Sequence, residues 1–327
     1  MKILTVVVRI LAAGVLMSAA TAATAQGVYP SKPVRLIIPY ATGGGTDAVA
    51  RILAQSLTEK WGQNVIVDNR PGGDTIIGTN VVAKAPPDGY TLLVLPTTFA
   101  INAGRINLPY DPIKDFDAVA TLAKSPYVLA VHPSVAANNL QELVALAKTK
   151  PGQLNYGSSA TGGLPHLGTE LLCQMTGIKM QHIPYNGSGP MTTDLVGGQI
   201  QVAFNNTISA MAPLIKAGRL KAIAVTSEAR LAALPEVPTF AEAGLPGYEL
   251  MTWFTLAAPA GTPKTVIGKI SKDMAVLLAT PEMRDALDKQ AMQPYISISP
   301  DQVTAMIRAE TAKFAKIIKS ANVKLDN

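Results

Sequence analysis

Two stretches of this sequence place nearly bare backbone just ahead of a helical pattern. The first is Thr42-Gly43-Gly44-Gly45-Thr46, with Asp47 in the next turn. The second is Ser158-Ser159-Ala160-Thr161-Gly162-Gly163, with His166 three residues on. Glycine loses more conformational freedom on folding than any other residue, so three in succession mark a close approach to the main chain or a turn that a Cβ would obstruct. The first N–H groups of a helix have no partner inside it and carry partial positive charge. With no side chain in the way, an anion can dock on them. The chemistry suggested is backbone capture of a small anion. Asp47 has two readings: favourable charge in a first helical turn with an i, i+4 pair to Arg51, or direct contact with a ligand. Thr42, Thr46 and Thr161 carry hydroxyls that could cap a helix or donate to a ligand.

Residues for bond-breaking chemistry are sparse. There is no G-x-S-x-G and no H-E-x-x-H. The histidines are His132, His166 and His182. His166 and Glu170 share a helix face, but no third ligand is evident, so packing or capping suits His166 better than zinc. A secreted hydrolase using Ser158 or Ser159 with a histidine is the alternative from another functional class. A dinucleotide site is imitated by the first glycine loop, with Asp68 at the end of the next strand. The spacing is G-G-G, however, and not G-x-G-x-x-G. No metal or cofactor is implied.

The elements that must position these loops follow a repeated order. "VRLIIP" (34–39) reads as a strand and 46–60 as a helix, with Val49, Ile52, Leu53 and Leu57 at helical spacing. "NVIVDN" (64–69) is the next strand. A strand, helix and strand of this length predict a βαβ unit and a parallel sheet. The pattern continues with a helix at 76–85 and a strand at 90–96. It restarts after a Pro- and Asp-rich loop at 108–116, with strands at 127–133, 154–159, 179–185, 199–206, 220–227 and 250–259. Helices are expected at 139–152, 166–177, 190–196 and 208–217, and two more near 263–279 and 300–320. Both glycine loops therefore stand at the carboxyl ends of strands, where open α/β sheets bind ligands.

A chain of 327 residues exceeds one ordinary core, and 48% hydrophobic with 15% charged residues is globular composition. Residues 1–25 read as a secretory signal peptide: Lys2 and Arg9, then "ILAAGVLMSAA", then "ATA" before Gln26. The apolar run is short for a membrane span. The expectation is export to the periplasm and cleavage before Gln26. Lys2 and Arg9 are the only charges removed, so a formal charge of +6 becomes +4. That mild basicity, without a dense Lys/Arg run among aromatics, points away from nucleic acid. Cys173 is the only cysteine, so no intramolecular disulfide forms.

The phrases "IIPYATGGGTDAVAR", "VDNRPGG", "APPDGYTLL", "LPYDPIKDF", "LNYGSSATGGLPHL", "HIPYNGSGP", "DLVGGQIQ", "LKAIAVTS", "LPEVPTFAEAGLPGYE" and "LAAPAGTP" occur in this order. Together they resemble the Bug-type receptors, the solute-binding proteins of tripartite tricarboxylate transporters, over essentially the whole mature chain. The resemblance implies a two-lobed periplasmic-binding-protein fold, type II-like, each lobe a mostly parallel sheet flanked by helices. Lobe 1 would comprise 26–125 plus 251–327, and lobe 2 would comprise 126–250. It implies a monomeric receptor that is not an enzyme, closing around a small carboxylate and delivering it to membrane transporter subunits. A sensor partner with the same fold is a further reading. Implied ligand contacts are Gly43, Gly44, Gly45 and Asp47, then Ser158, Ser159, Thr161 and His166, with Tyr40, Thr42, Asn186 and Asn205 bordering the cleft. Two positions depart from the family pattern. Thr42 stands where proline usually precedes the glycines, and Asp74 stands where small residues follow "NRPG". Asp74 is either a turn residue bonding its own backbone or a negative charge facing the ligand.

Overall fold

The computed structural model describes residues 29–104, 107–248, 250–296 and 299–321. The expected signal peptide and its cleavage site lie outside them.

The first sheet begins with β1 (Val34–Ile38), followed by helix α1 (Gly45–Trp61), strand β2 (Val65–Asn69), helix α2 (Ile76–Ala83) and strand β3 (Thr91–Pro96). β1 pairs in parallel with both β2 and β3, as the βαβ pattern predicts. A short helix α3 (Thr98–Asn102) leads to the long strand β4 (Phe116–Pro126). One residue later β5 (Val128–Val131) opens the second sheet. There the order is helix α4 (Leu140–Thr149), strand β6 (Asn155–Ser158), helix α5 (Leu164–Thr176), strand β7 (Gln181–Pro184) and helix α6 (Ser188–Val196). Strand β8 (Val202–Asn205), helix α7 (Ile208–Lys216) and strand β9 (Lys221–Val225) complete it. The chain returns through β10 (Met251–Pro259), helices α8 (Lys264–Leu278) and α9 (Pro281–Asp288), strand β11 (Gln293–Pro294) and helix α10 (Pro300–Ala321).

The strand orders are β11-β4-β10-β3-β1-β2 and β7-β6-β8-β5-β9. Both sheets are mixed, which corrects the expectation of mostly parallel ones. β10 runs antiparallel to β3 and β4, and β5 antiparallel to β8 and β9. The cause is connectivity. β4 carries the chain out of the first sheet and β10 brings it back beside β4, so the two must point in opposite directions. β4 itself has no counterpart among the expected strands. Its sequence "FDAVATLAKSP" is rich in alanine and lacks a clean alternation, because both its faces are covered.

Alternation along the strands divides the core. Leu36, Ile38, Leu92 and Val94 face one apolar cluster, which α1 and α8 cover. Ile37, Leu93 and Leu95 face another, which also takes in Leu129, Val131 and Phe204 of the second sheet. Three consecutive fully buried residues, Leu36-Ile37-Ile38, are what a strand covered on both faces requires. Each such side chain contributes about 1.5–3 kcal/mol of burial. The strand crossing is stitched by Thr226. Its hydroxyl accepts from Tyr127 N–H at 2.7 Å and donates to Leu250 O at 2.6 Å, and its own N–H donates to Tyr127 O at 2.9 Å.

Candidate functional site

Three strand–loop–helix units converge between the sheets: β1 to α1, β6 to α5, and β7 to α6. Each helix is N-capped by a glycine, respectively Gly44, Gly163 and Gly187, and none has a side-chain cap. Thr42, Thr46 and Thr161 therefore do not cap, and the first N–H groups of these helices are left to other acceptors.

The three glycines of the first loop have three different reasons. Gly43 has φ +85°, the left-handed region where a Cβ is strained. Gly44 has an ordinary extended φ of −94° and faces Ser188, whose Cβ lies 3.6 Å from where a Gly44 Cβ would stand. A Cβ on Gly45 would lie 2.5 Å from Asn206 Nδ2. The loop thus meets the opposite sheet's loops in direct contact. Ala41 N–H donates to Asn186 O at 3.3 Å, and a Cβ on Gly189 would fall 2.6 Å from Thr42 O. The lobes are closed on one another.

A cavity of about 20 Å³, room for about one water, remains between them. Of the expected site residues, Tyr40, Gly44, Gly45 and Ser159 line it. The Tyr40 hydroxyl donates to Thr98 Oγ1 at 2.8 Å, and burial raises its pKa far above the ordinary range, so it stays a neutral donor. Thr46, whose hydroxyl the sequence offered to a cap or a ligand, also lines the cavity, as do Thr98, Tyr127, Ser188 and Asn206, which sequence reasoning did not select. Alternation is the signal that could have separated Asn206 from Asn205. Asn205 turns away into its own lobe, donating to Thr192 Oγ1 at 2.6 Å and accepting from Thr207 N–H at 2.7 Å. Thr42 and Gly43 are exposed at the rim, and Asn186 offers its carbonyl, not its side chain.

Other expected contacts support the loops from behind. Asp47 is buried and takes Gly43 N–H at 3.1 Å, Arg51 Nε at 3.0 Å and Asn69 Nδ2 at 3.0 Å. Burial alone would raise its pKa, but these donors outweigh it and hold the carboxyl below its usual range. Asp68 is consumed by Arg35 and Arg70, which leaves no acid for a ribose. In the second loop His166 Nδ1 accepts from Gly162 N–H at 2.9 Å. Its ring stacks on His182 at 3.8 Å, and His182 stacks in turn on Tyr156. Burial, with the His182 charge second, pushes the His166 pKa down to about 3, and burial takes His182 to about 4. His182 Nε2 lies 2.6 Å from Ser158 Oγ, but that hydroxyl donates to Ala160 O at 2.9 Å. Ser158 has no exposed surface in this closed arrangement, and the pair braces the loop.

Asp74 reaches across the gap. Its Oδ1 accepts from Thr161 N–H at 2.8 Å, joining the loop after β2 to the glycine loop before α5. The turn that aims it is strained. Gly72, Gly73, Asp74 and Thr75 all have positive φ, the last two at 50° and 80°. Non-glycine residues held there cost on the order of 1–3 kcal/mol each. Asn102 holds the turn, donating to Asp74 O at 2.7 Å and Thr75 Oγ1 at 3.1 Å.

Among the described residues, no group of three His, Cys, Asp or Glu side chains is placed to hold a metal, and no helix is long and apolar enough to cross a membrane. Residues 49–323 match the sequence profile described as "Tripartite tricarboxylate transporter family receptor". Solved structures similar to this chain include these three. Rpa4515 of R. palustris with adipate is 36% identical, with TM-score 0.86 over 90% of this chain and 99% of that one. The periplasmic binding protein BugD is 32% identical, with TM-score 0.85 over 90% and 99%. MatC of Rhodopseudomonas palustris with bound malate is 28% identical, with TM-score 0.81 over 89% and 100%.

Proposed function

The chain belongs to the tripartite tricarboxylate transporter receptor family, and from that premise we propose that it captures a small carboxylate between its two lobes and hands it to membrane transporter subunits. The observation that carries this reading is the meeting of the glycine-capped starts of α1 and α6 at one closed gap, to which the glycine loop before α5 adds Ser159. Backbone N–H groups and the neutral hydroxyls of Tyr40, Thr98, Ser159 and Ser188 make that gap suited to anions. The carboxylates in the Rpa4515 and MatC structures support it. In this reading lobe 1 comprises 26–125 plus 251–327 and lobe 2 comprises 126–250, the receptor acts as a monomer, and catalysis plays no part. The first-loop contacts are Gly44, Gly45 and Thr46, while Asp47 and His166 position the loops. The receptor works in the periplasm after removal of residues 1–25.

The test is a thermal melting screen of the exported protein against mono-, di- and tricarboxylates, hydroxy acids and amino acids. A ligand at a hundredfold excess over Kd adds about 2.7 kcal/mol, or about 4 °C in a chain of this size. The expected result is stabilisation with the ligand recovered unchanged. Turnover of the ligand would favour the hydrolase reading, and no stabilisation by any carboxylate would sink the receptor reading. The intact mass of the same preparation checks cleavage before Gln26; a mass retaining residues 1–25 would refute it.

A further inference from the structure

We propose that Asp74 is a built-in carboxylate that occupies the second lobe's anion loop and makes the receptor select ligands with a single carboxylate and a hydrogen-bond donor at the far end. The inference rests on the receptor reading above and narrows its ligand class.

Thr161 N–H belongs to the glycine loop before α5, where Gly162 N–H is taken by His166 Nδ1 and Gly163 N–H by Ala160 O within the same lobe. The acceptor Thr161 N–H has in the closed structure is Asp74 Oδ1 at 2.8 Å, a carboxylate delivered from the opposite lobe. The delivery is built in by the turn at Gly72–Thr75. Four successive positive φ angles and two bonds from the Asn102 amide set Asp74 where it is. An ordinary turn aspartate bonds its own backbone and needs no such support. Its charge reaches Tyr40, which lines the cavity, and His182, which sits behind the loop. A ligand held by one carboxylate on the first loop would present its other end towards this charge. A second carboxylate there meets like charge in a partly desolvated gap, whereas a hydroxyl or ammonium finds an acceptor.

The experiment uses a matched straight-chain series of four to eight carbons: the diacid, the ω-hydroxy acid, the ω-amino acid and the plain monoacid. Affinities are measured by calorimetry at fixed pH and salt for the wild type and for Asp74→Asn. Asparagine tolerates a left-handed φ as aspartate does and keeps an acceptor for Thr161 N–H, so the variant should retain the turn. Wild type should hold the hydroxy or amino acid at least tenfold tighter than the diacid of equal length. Asp74→Asn should shrink that ratio roughly tenfold, which is about 1.4 kcal/mol. A purely structural Asp74 would change all affinities together and leave the ratio fixed; that result overturns the inference. So does a wild type that prefers the diacid. If the wild type binds no carboxylate here or in the melting screen, the receptor reading itself has failed. If it binds them with a ranking indifferent to Asp74→Asn, only the present inference has.

Discussion

His166 carries chemistry that the site uses for support. Its Nδ1 takes a loop N–H, a bond that only an unprotonated nitrogen can accept. The folded state therefore resists protonation down to about pH 3, while the unfolded chain takes a proton near the ordinary value of about 6.5. With the folded pKa depressed, the stabilising contribution is full above pH 6.5 and is lost progressively as pH falls towards 3. One such group gives a slope of at most about 1.4 kcal/mol per pH unit. Urea unfolding at pH 7, 6 and 5 should show His166→Gln less stable than wild type at pH 7 but with a flatter pH dependence. Equal slopes for the two proteins would show that His166 titrates normally. Asp47 does similar work in the first loop. Both residues were legible as site-related from their place beside glycine loops, but whether they face the ligand or the loop depended on partners distant in sequence, such as Asn69.

At the scale of elements, the glycines of the helix starts set how closely the lobes approach. Gly189 lies in the first turn of α6, and a Cβ there would sit 2.6 Å from the Thr42 carbonyl oxygen across the gap. That atom is backbone and cannot swing aside. Gly189→Ala should leave each lobe folded, with circular dichroism unchanged, because the clash is between loops of different lobes. It should weaken ligand binding by tenfold or more, since full closure is blocked. Wild-type affinity in Gly189→Ala would mean that ligand is held without this contact. α6 itself was expected two residues later, near 190. A run of Gly187-Ser188-Gly189 carries little helix propensity, and its position at the end of β7 supplies the start instead.

For the whole molecule, the closed gap of about 20 Å³ sets a condition on entry. A carboxylate of four or more carbons cannot pass loops in such contact, so the lobes must part first. The crossing at Tyr127, Thr226 and Leu250 is where the chain runs between them. Helix α10 complicates a simple division. It packs on β4 and α3 of the first lobe and also on α5 of the second. Motion therefore has to include sliding at the α10–α5 contact around Phe314 and Leu167. X-ray scattering without ligand should give a radius of gyration above that of the closed structure, falling towards it at saturation. A radius unchanged by saturating ligand would mean that the lobes do not move.

The sequence by itself determined what is local. The βαβ order, the helix periodicities and the glycine-led helix starts all lie within short windows, and so does the family resemblance carried by phrases such as "NRPGG" and "NYGSSATGG". The tertiary structure alone decided what depends on contacts between distant segments. β4 became a strand because β10 and β11 pair with it, and its alanine-rich sequence does not specify that state. Asn206, just past the end of β8, faces the gap and Asn205 does not, because pairing of Asn205 with Val128 of β5 fixes the side on which β8 ends. Asp74 meets Thr161 across 87 positions of sequence. A carboxylate's partner at that separation is set by how two lobes close, and no window of residues encodes that geometry.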